Sequence, residues 1–160
     1  MRKNRLFLGL AFIGVGALGY VAGAAKAKTG VMTPLAEAKW EELMPGAPLQ
    51  QVKLWGDRNK GEYGMLLKLP AGFRAGMHSH TGDYNAVAVQ GNWVHAFADG
   101  VEKELPPGSY VMQPGKQDHD DACKGTTDCI ILVTQKVKGD FKPAKAPAAA
   151  PAPATPAPPK

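Results

Sequence analysis

The sequence predicts an all-β domain, an antiparallel sandwich or barrel with little helix outside the N-terminal leader. Apolar and polar residues alternate over many short runs, Gly, Pro and Asp clusters separate these runs, and no long helical period appears. Alternation with a period of two gives each strand one apolar face, and several such faces can be buried together in one core.

The predicted elements follow one another at short spacing. Residues 33–44 begin with Thr33 and Pro34 and favour either a short helix or a first strand, which ends near Gly46. The other runs are bounded by turns and predict strands at 51–55, 63–69, 84–90, 92–98, 101–105, 109–113 and 129–137.

Both ends of the chain lie outside this domain. Residues 1–27 combine a basic start, an apolar stretch and a small-residue site at 25–27, which is the anatomy of a signal peptide. The apolar stretch is about 20 residues long, so an uncleaved anchor is the alternative. Either arrangement places the rest of the chain outside the cytoplasm, in the periplasm or secreted. Residues 142–160 are rich in Pro and Ala and predict a disordered tail, which leaves 33–141 as a single domain.

The charge of the domain excludes one class of partner. The chain has a formal net charge of +5, but seven of its 19 basic residues lie in the leader or the tail. Residues 28–141 therefore carry 12 basic and all 14 acidic residues, a net charge of −2. No basic stripe suited to phosphate neutralisation is present, so we expect no nucleic-acid partner, and no membrane partner once the leader is cleaved.

The two cysteines fit an exported protein. The chain has two cysteines, Cys123 and Cys129, which lie close together in sequence, and an oxidising compartment favours a disulfide between them. Two reduced thiols, one of them in a buried strand, are the alternative.

Two histidines at strand spacing are the strongest candidate for a site. His78 and His80 are two positions apart, so in a strand they project from the same face and can bind one ion. A third histidine, His119, follows about 40 residues later, after a turn that contains Pro114 and Gly115.

Around these histidines the sequence resembles the two motifs of the cupin superfamily. Seven spaced positions agree, namely Gly72, His78, His80, Gly91, Gly108, Pro114 and His119. More narrowly, the stretches LLKLPAGFRAGMHSHTGDY and GSYVMQPGKQDHDDACKGTTDC and the ending GDFKP resemble small single-domain cupins of the DUF4437 type, akin to the zinc-binding cupin domain of ChrR-like anti-sigma factors. The resemblance covers residues 50–139 and implies a jelly-roll β-barrel with a metal site, and a homodimer.

The chain departs from the motifs at three positions. Tyr84 stands where cupins have a Glu ligand, Lys116 where they have Gly, and Cys123 where they have Asn. The three histidine ligands are retained, so the sequence leaves the identity of the fourth ligand undecided.

Four candidates exist for that ligand. Asp83 could turn inward if Gly82 forms a bulge. Tyr84 could bind as phenolate or hydrogen-bond to a metal-bound water, Cys123 could bind as thiolate if it is reduced, and water could fill the position. We expect a three-His site with water, with Tyr84 near the ion and Asp83 as the next-best ligand.

Two further features receive an ordinary structural interpretation. His95 alternates with Trp93 and Phe97, which indicates a histidine packed among aromatic rings. Asp118, Asp120 and Asp121 flank His119 and are typical of a solvated turn, although one of them could hold the imidazole of His119 by a hydrogen bond.

Together these features predict an exported, divalent-metal-binding protein that acts on a small molecule. Three imidazoles suit Zn, Fe, Ni, Cu, Co or Mn, and an open fourth position is typical of catalytic sites. A non-enzymatic metal- or ligand-binding module for sensing or storage is the alternative.

Overall fold

The fold is almost entirely β-structure, as seen in a computed structural model that describes residues 29–144. The segment where the sequence left helix or strand open contains both, a 3-10 turn at Leu35–Glu37 followed by a short strand. The strands in chain order are β1 (Glu41–Glu42), β2 (Gln50–Gly56), β3 (Tyr63–Leu69), β4 (His78–Ser79), β5 (Tyr84–Gln90), β6 (Asn92–Phe97), β7 (Glu102–Leu105), β8 (Tyr110–Gln113), β9 (His119–Lys124), β10 (Cys129–Gln135) and β11 (Lys142–Pro143).

The strands form two antiparallel sheets. One has six strands in the order β1-β2-β3-β10-β5-β8, and the other has five in the order β11-β4-β9-β6-β7. The prediction of an all-β antiparallel domain is confirmed, and the sheets do not close on each other into a continuous barrel. Along 29–144, no helix is long and apolar enough to cross a membrane.

The core lies between the sheets. Alternate residues of β5 are buried, including Tyr84, Ala86 and Ala88, while Asn85 and Val89 are exposed. In β6 four consecutive residues are buried, and among them Trp93, 1% exposed, packs against the core. Each strand can therefore bury apolar side chains while only a short segment loses conformational entropy.

Gly91 joins β5 to β6 and has a positive φ of 78°. A Cβ at this position would lie 2.7 Å from the carbonyl oxygen of Asp128 and 2.9 Å from the Cα of Cys129. Only glycine combines that backbone angle with such a close approach, which explains why the first cupin-like motif ends here.

Two strands lie where the sequence predicts none: β9 occupies the segment interpreted as a solvated turn, and β11 lies just beyond the predicted domain end at 141. The strand that carries the histidine pair, β4, is only two residues long. β4 and β11 pair with each other, Ser79 opposite Lys142 and His78 opposite Pro143. The predicted leader at 1–27 and the tail from residue 145 lie outside the described residues.

Candidate functional site

Two short strands of the five-stranded sheet bring the three histidines together. His78 begins β4 and lies directly opposite His119, the first residue of β9. His80 follows two residues after His78, so its ring projects to the same side. One ring nitrogen from each histidine lies within 4.8 Å of the others, and the group is recognisable as a potential metal-binding cluster.

Each of these rings is oriented by a backbone carbonyl. The Nδ1 of His78 donates to the carbonyl of Gly76 at 2.7 Å, and the Nδ1 of His119 donates to that of Gln117 at 3.2 Å. The Nδ1 of His80 donates to the carbonyl of Asp140. Because a neutral imidazole has one N–H, these bonds leave the Nε2 lone pair of each ring available.

The environment favours the neutral form of His80 and His119. Burial lowers the pKa of His119 to about 4, against the opposing attraction of Asp121. Burial also lowers the pKa of His80. Within residues 29–144 the buried Nε2 of His119 has no hydrogen-bond partner. A buried acceptor without a partner is costly, and a metal ion would satisfy it.

Asp121 places a carboxylate beside these lone pairs. Its Oδ2 lies 3.6 Å from the Nε2 of His119 and 3.9 Å from the Nε2 of His78. It projects from β9 two residues after His119 and therefore faces the same side. The protein thus has an acidic group at the three-His cluster, although Tyr84 replaces the Glu of the motif.

The other oxygen of Asp121 is held by two donors. Oδ1 accepts a hydrogen bond from the Trp93 indole at 2.7 Å and one from the Nδ1 of His95 at 2.9 Å. The Nε2 of His95 donates to Gln113 Oε1 at 3.2 Å. Since the Gln113 amide nitrogen donates to the carbonyls of Pro114 and Gln117, its oxygen must face His95. Both ring nitrogens of His95 therefore lie beside side-chain oxygens, one of Asp121 and one of Gln113.

This network keeps Asp121 ionised. Burial opposes ionisation, but the hydrogen bond from His95 and the electrostatic influence of that ring outweigh it and lower the pKa of Asp121. His95 is packed among aromatic rings, as expected, and it also orients the acid. This role resembles the outer hydrogen-bond partners that position ligands in metal sites.

Tyr84 lies beside the cluster. Its ring centroid is 5.5 Å from that of His80 and 5.7 Å from that of His119. Burial, followed by the nearby charge of Asp121, raises the pKa of Tyr84 well above its usual value. The phenol is therefore a protonated hydrogen-bond donor, and not a phenolate, in the protein alone.

Asp83 lies away from the cluster. It is exposed, on the opposite side of the chain from buried Tyr84, and its Oδ1 accepts a hydrogen bond from the N–H of Gly115 at 2.7 Å. The inward bulge that would make it a ligand does not form, because the carboxylate instead caps the turn before β9. In the structure Asp83 is therefore not among the groups that meet at the cluster, and its role as a fourth ligand stays a prediction.

Cys123 is not available as a thiolate. It forms a disulfide with Cys129, which joins β9 of one sheet to β10 of the other. Cys123 projects from the same face of β9 as His119 and Asp121, so the disulfide lies further along that strand than the histidine cluster.

A cavity of about 230 Å³ adjoins the cluster. His78, His80, Tyr84 and Asp121 lie on its wall. Most of the remaining wall is apolar and includes Leu43, Met65, Leu67, Phe73, Ile131 and Val133. The cluster therefore faces a space that excludes much of the solvent, as small-molecule sites do.

Strand parity could have identified Asp121 from sequence, because it follows His119 at the same spacing that joins His78 and His80. The run of three aspartates concealed this signal. The pairing of His95 with Asp121 depends on the register between β6 and β9, which no local pattern specifies.

The fold and the cluster define a class, the cupins, and comparison with solved structures agrees. An RmlC-like cupin protein from Ralstonia eutropha JMP134 is 25% identical, with a TM-score of 0.56 over 71% of each chain. The polyketide cyclase RemF from Streptomyces resistomycificus is 17% identical, with a TM-score of 0.61 over 74% of this chain and 88% of the other. A predicted oxalate decarboxylase from Thermotoga maritima is 21% identical, with a TM-score of 0.55 over 67% of this chain and 99% of the other.

Residues 34–143 match a domain of unknown function, DUF4437, and the chain belongs to that family. No curated protein sequence matches the chain.

Proposed function

We propose that this protein is an exported cupin that binds a divalent metal ion and uses it for chemistry on a small molecule. The observation that carries the proposal is the convergence of three imidazoles, each oriented through Nδ1 by a backbone carbonyl, at the wall of a largely apolar cavity. Unpaired buried imidazoles are unfavourable without an ion, whereas three of them form a good chelate.

His78, His80 and His119 would hold the ion, and Asp121 would supply the charge that the missing Glu supplies in other cupins. Its Oδ2 lies beside the Nε2 atoms of His119 and His78, while Oδ1 accepts hydrogen bonds from Trp93 and His95. Nitrogen and carboxylate ligands suit Zn, Fe, Co, Ni, Cu or Mn. When bound, such an ion supplies Lewis-acid polarisation of a substrate oxygen or a centre for O₂ chemistry.

The chain's own groups would orient and shield the substrate. The apolar wall excludes water, which strengthens every polar interaction at the cluster. Tyr84 holds its proton and can donate a hydrogen bond to a substrate atom beside His80 and His119. His95 and Trp93 keep Asp121 ionised and fixed. These roles favour an enzyme over a module that only stores or senses metal, which would not need a cavity for a small molecule beside the ion.

The direct test is the metal content of protein purified from the extracytoplasmic fraction. We expect about one divalent ion per chain in the native protein and less than about a tenth of that in His119→Ala, because one of three imidazoles is lost. In Asp121→Asn we expect metal affinity to fall by about 10- to 100-fold, the usual effect of losing an orienting or weakly bound acid.

Asp118→Asn is the matched control. Asp118 lies in the same segment and carries the same charge, but it is not among the residues that approach the cluster. Equal metal content in native protein and His119→Ala would contradict the metal centre. Stoichiometric metal with no turnover on any acid, ester or carbonyl compound would favour the binding module.

A further inference from the structure

One cation on the cavity wall has no counter-charge. The two acids on the wall are paired, Asp121 with His95 and Asp140 with Thr81 and with Lys142, whose Nζ lies 3.4 Å from its carboxylate. Arg58 also lines the cavity, and within residues 29–144 no carboxylate lies within 4.0 Å of its guanidinium. Along the described residues, the cavity wall therefore carries one positive charge that no carboxylate pairs with.

Arg58 is held close to the histidine cluster by two consecutive residues. The N–H of Gly139 donates to the carbonyl of Arg58 at 2.8 Å, and the carbonyl of Asp140 accepts from His80. The segment 139–140 therefore joins the turn that carries Arg58 to one of the candidate ligands. A ligand that contacts the guanidinium lies near the cluster.

The arginine side chain packs tightly over this segment. A Cβ on Gly139 would lie 2.9 Å from the Cγ and 3.0 Å from the Nε of Arg58, and 2.9 Å from the hydroxyl of Tyr63. The Tyr63 hydroxyl donates to Gln135 at 2.7 Å, and both residues line the cavity. Arg58 is thus half-buried on a polar support, and its side chain interacts with the Tyr63 hydroxyl.

We propose that the cavity binds a small carboxylic acid with an apolar body, whose carboxylate pairs with Arg58. A guanidinium offers two parallel N–H donors that match a carboxylate. A cavity of about 150 Å³ accommodates benzene, so 230 Å³ suits a ring or branched chain with one acid group. This inference names the substrate class of the proposed site. It rests on the proposed function, because the part of the ligand that reacts would lie at the metal centre.

The test is calorimetric titration of the full chain with benzoate, phenylacetate and 3-methylbutanoate, each compared with its neutral amide. We expect at least one acid to bind at least tenfold more tightly than its amide. Arg58→Met keeps the stem over Gly139 and should weaken that acid by about 10- to 100-fold, because a hydrogen-bonded charge pair is lost. It should also abolish the preference for acid over amide, whereas Arg58→Lys should retain part of it.

Lys60→Met is the matched control, because Lys60 lies in the same turn and its exposed side chain pairs with Asp57 at 3.2 Å. We expect it to bind the acid within twofold of the native protein. Failure of all three acids to bind below millimolar concentration, or equal binding by Arg58→Met, would overturn the proposal.

Each titration is run on zinc-loaded protein and on protein stripped with EDTA. Acid binding that depends on Arg58 in a protein that takes up no metal would support the acid site and overturn the metal centre. Metal uptake together with acid binding that Arg58→Met leaves unchanged would support the metal centre and overturn the acid site.

Discussion

At the scale of single residues, Asp121 changes how the missing Glu is understood. The motif position is taken by Tyr84, whose buried phenol keeps its proton. The negative charge comes instead from β9, two residues after His119, and is held by Trp93 and His95. The site therefore keeps the charge balance of three imidazoles and one acid while the acid comes from a different strand.

Lys116 is the second residue at which a departure from the motif has a physical consequence. Its φ is 63°, the left-handed region in which cupins have glycine at this position. A non-glycine residue there costs about 1–2 kcal/mol, and glycine loses about 0.5–1 kcal/mol more entropy on folding. Its N–H donates to the carbonyl of His80 at 2.7 Å, a bond that glycine retains.

We therefore expect Lys116→Gly to stabilise the protein by about 0.5–1 kcal/mol. The midpoint of urea unfolding measures the change. Lys103→Gly, at an exposed position of β7, is the control and should destabilise by about the same amount. A lower midpoint for Lys116→Gly would show that the lysine side chain contributes more than its backbone strain costs.

At the scale of elements, β4, the strand that carries His78, has little backbone support. β4 has two residues and meets β9 at one position, His78 opposite His119. By contrast, β10 pairs along its length with β3 and β5. A bound ion would connect β4 to β9 where the backbone hardly does.

Removal of the metal should therefore loosen one region selectively. We expect amide hydrogen exchange in residues 76–81 and 140–144 to rise by about tenfold or more after EDTA treatment, because ligand binding no longer stabilises the closed form. Exchange in β10 is the internal control and should be unchanged. A uniform rise across both sheets would instead indicate that the ion stabilises the whole fold.

The same elements show how far sequence reasoning extends. Short alternating runs bounded by turn residues located β2, β3, β5, β6, β7, β8 and β10. This pattern missed β9, whose inward residues include His119 and Asp121, since their burial depends on partners distant in sequence. The three histidines followed from spacing, but the acid beside them depended on the register of β6 against β9.

At the scale of the whole molecule, the disulfide and the leader make one joint prediction. Cys123 and Cys129 are bonded in the structure, and such bonds persist in oxidising compartments. Residues 1–27 have signal-peptide anatomy. We expect the exported protein to begin at Lys28 and to lack two hydrogens relative to its reduced form.

Intact-mass measurement before and after reduction checks both parts. A full-length mass in the membrane fraction would support the uncleaved anchor, and free thiols in freshly isolated protein would contradict the disulfide.

The hydrogen bond from His80 to Asp140 has a consequence for biosynthesis. The two residues are 60 positions apart, and β11, which covers β4, follows at once. While the chain is being made or threaded across a membrane, His80 has no carbonyl to orient it until nearly the whole domain has emerged. Metal loading is therefore expected to follow synthesis and translocation, so the ion acquired is the one supplied by the destination compartment.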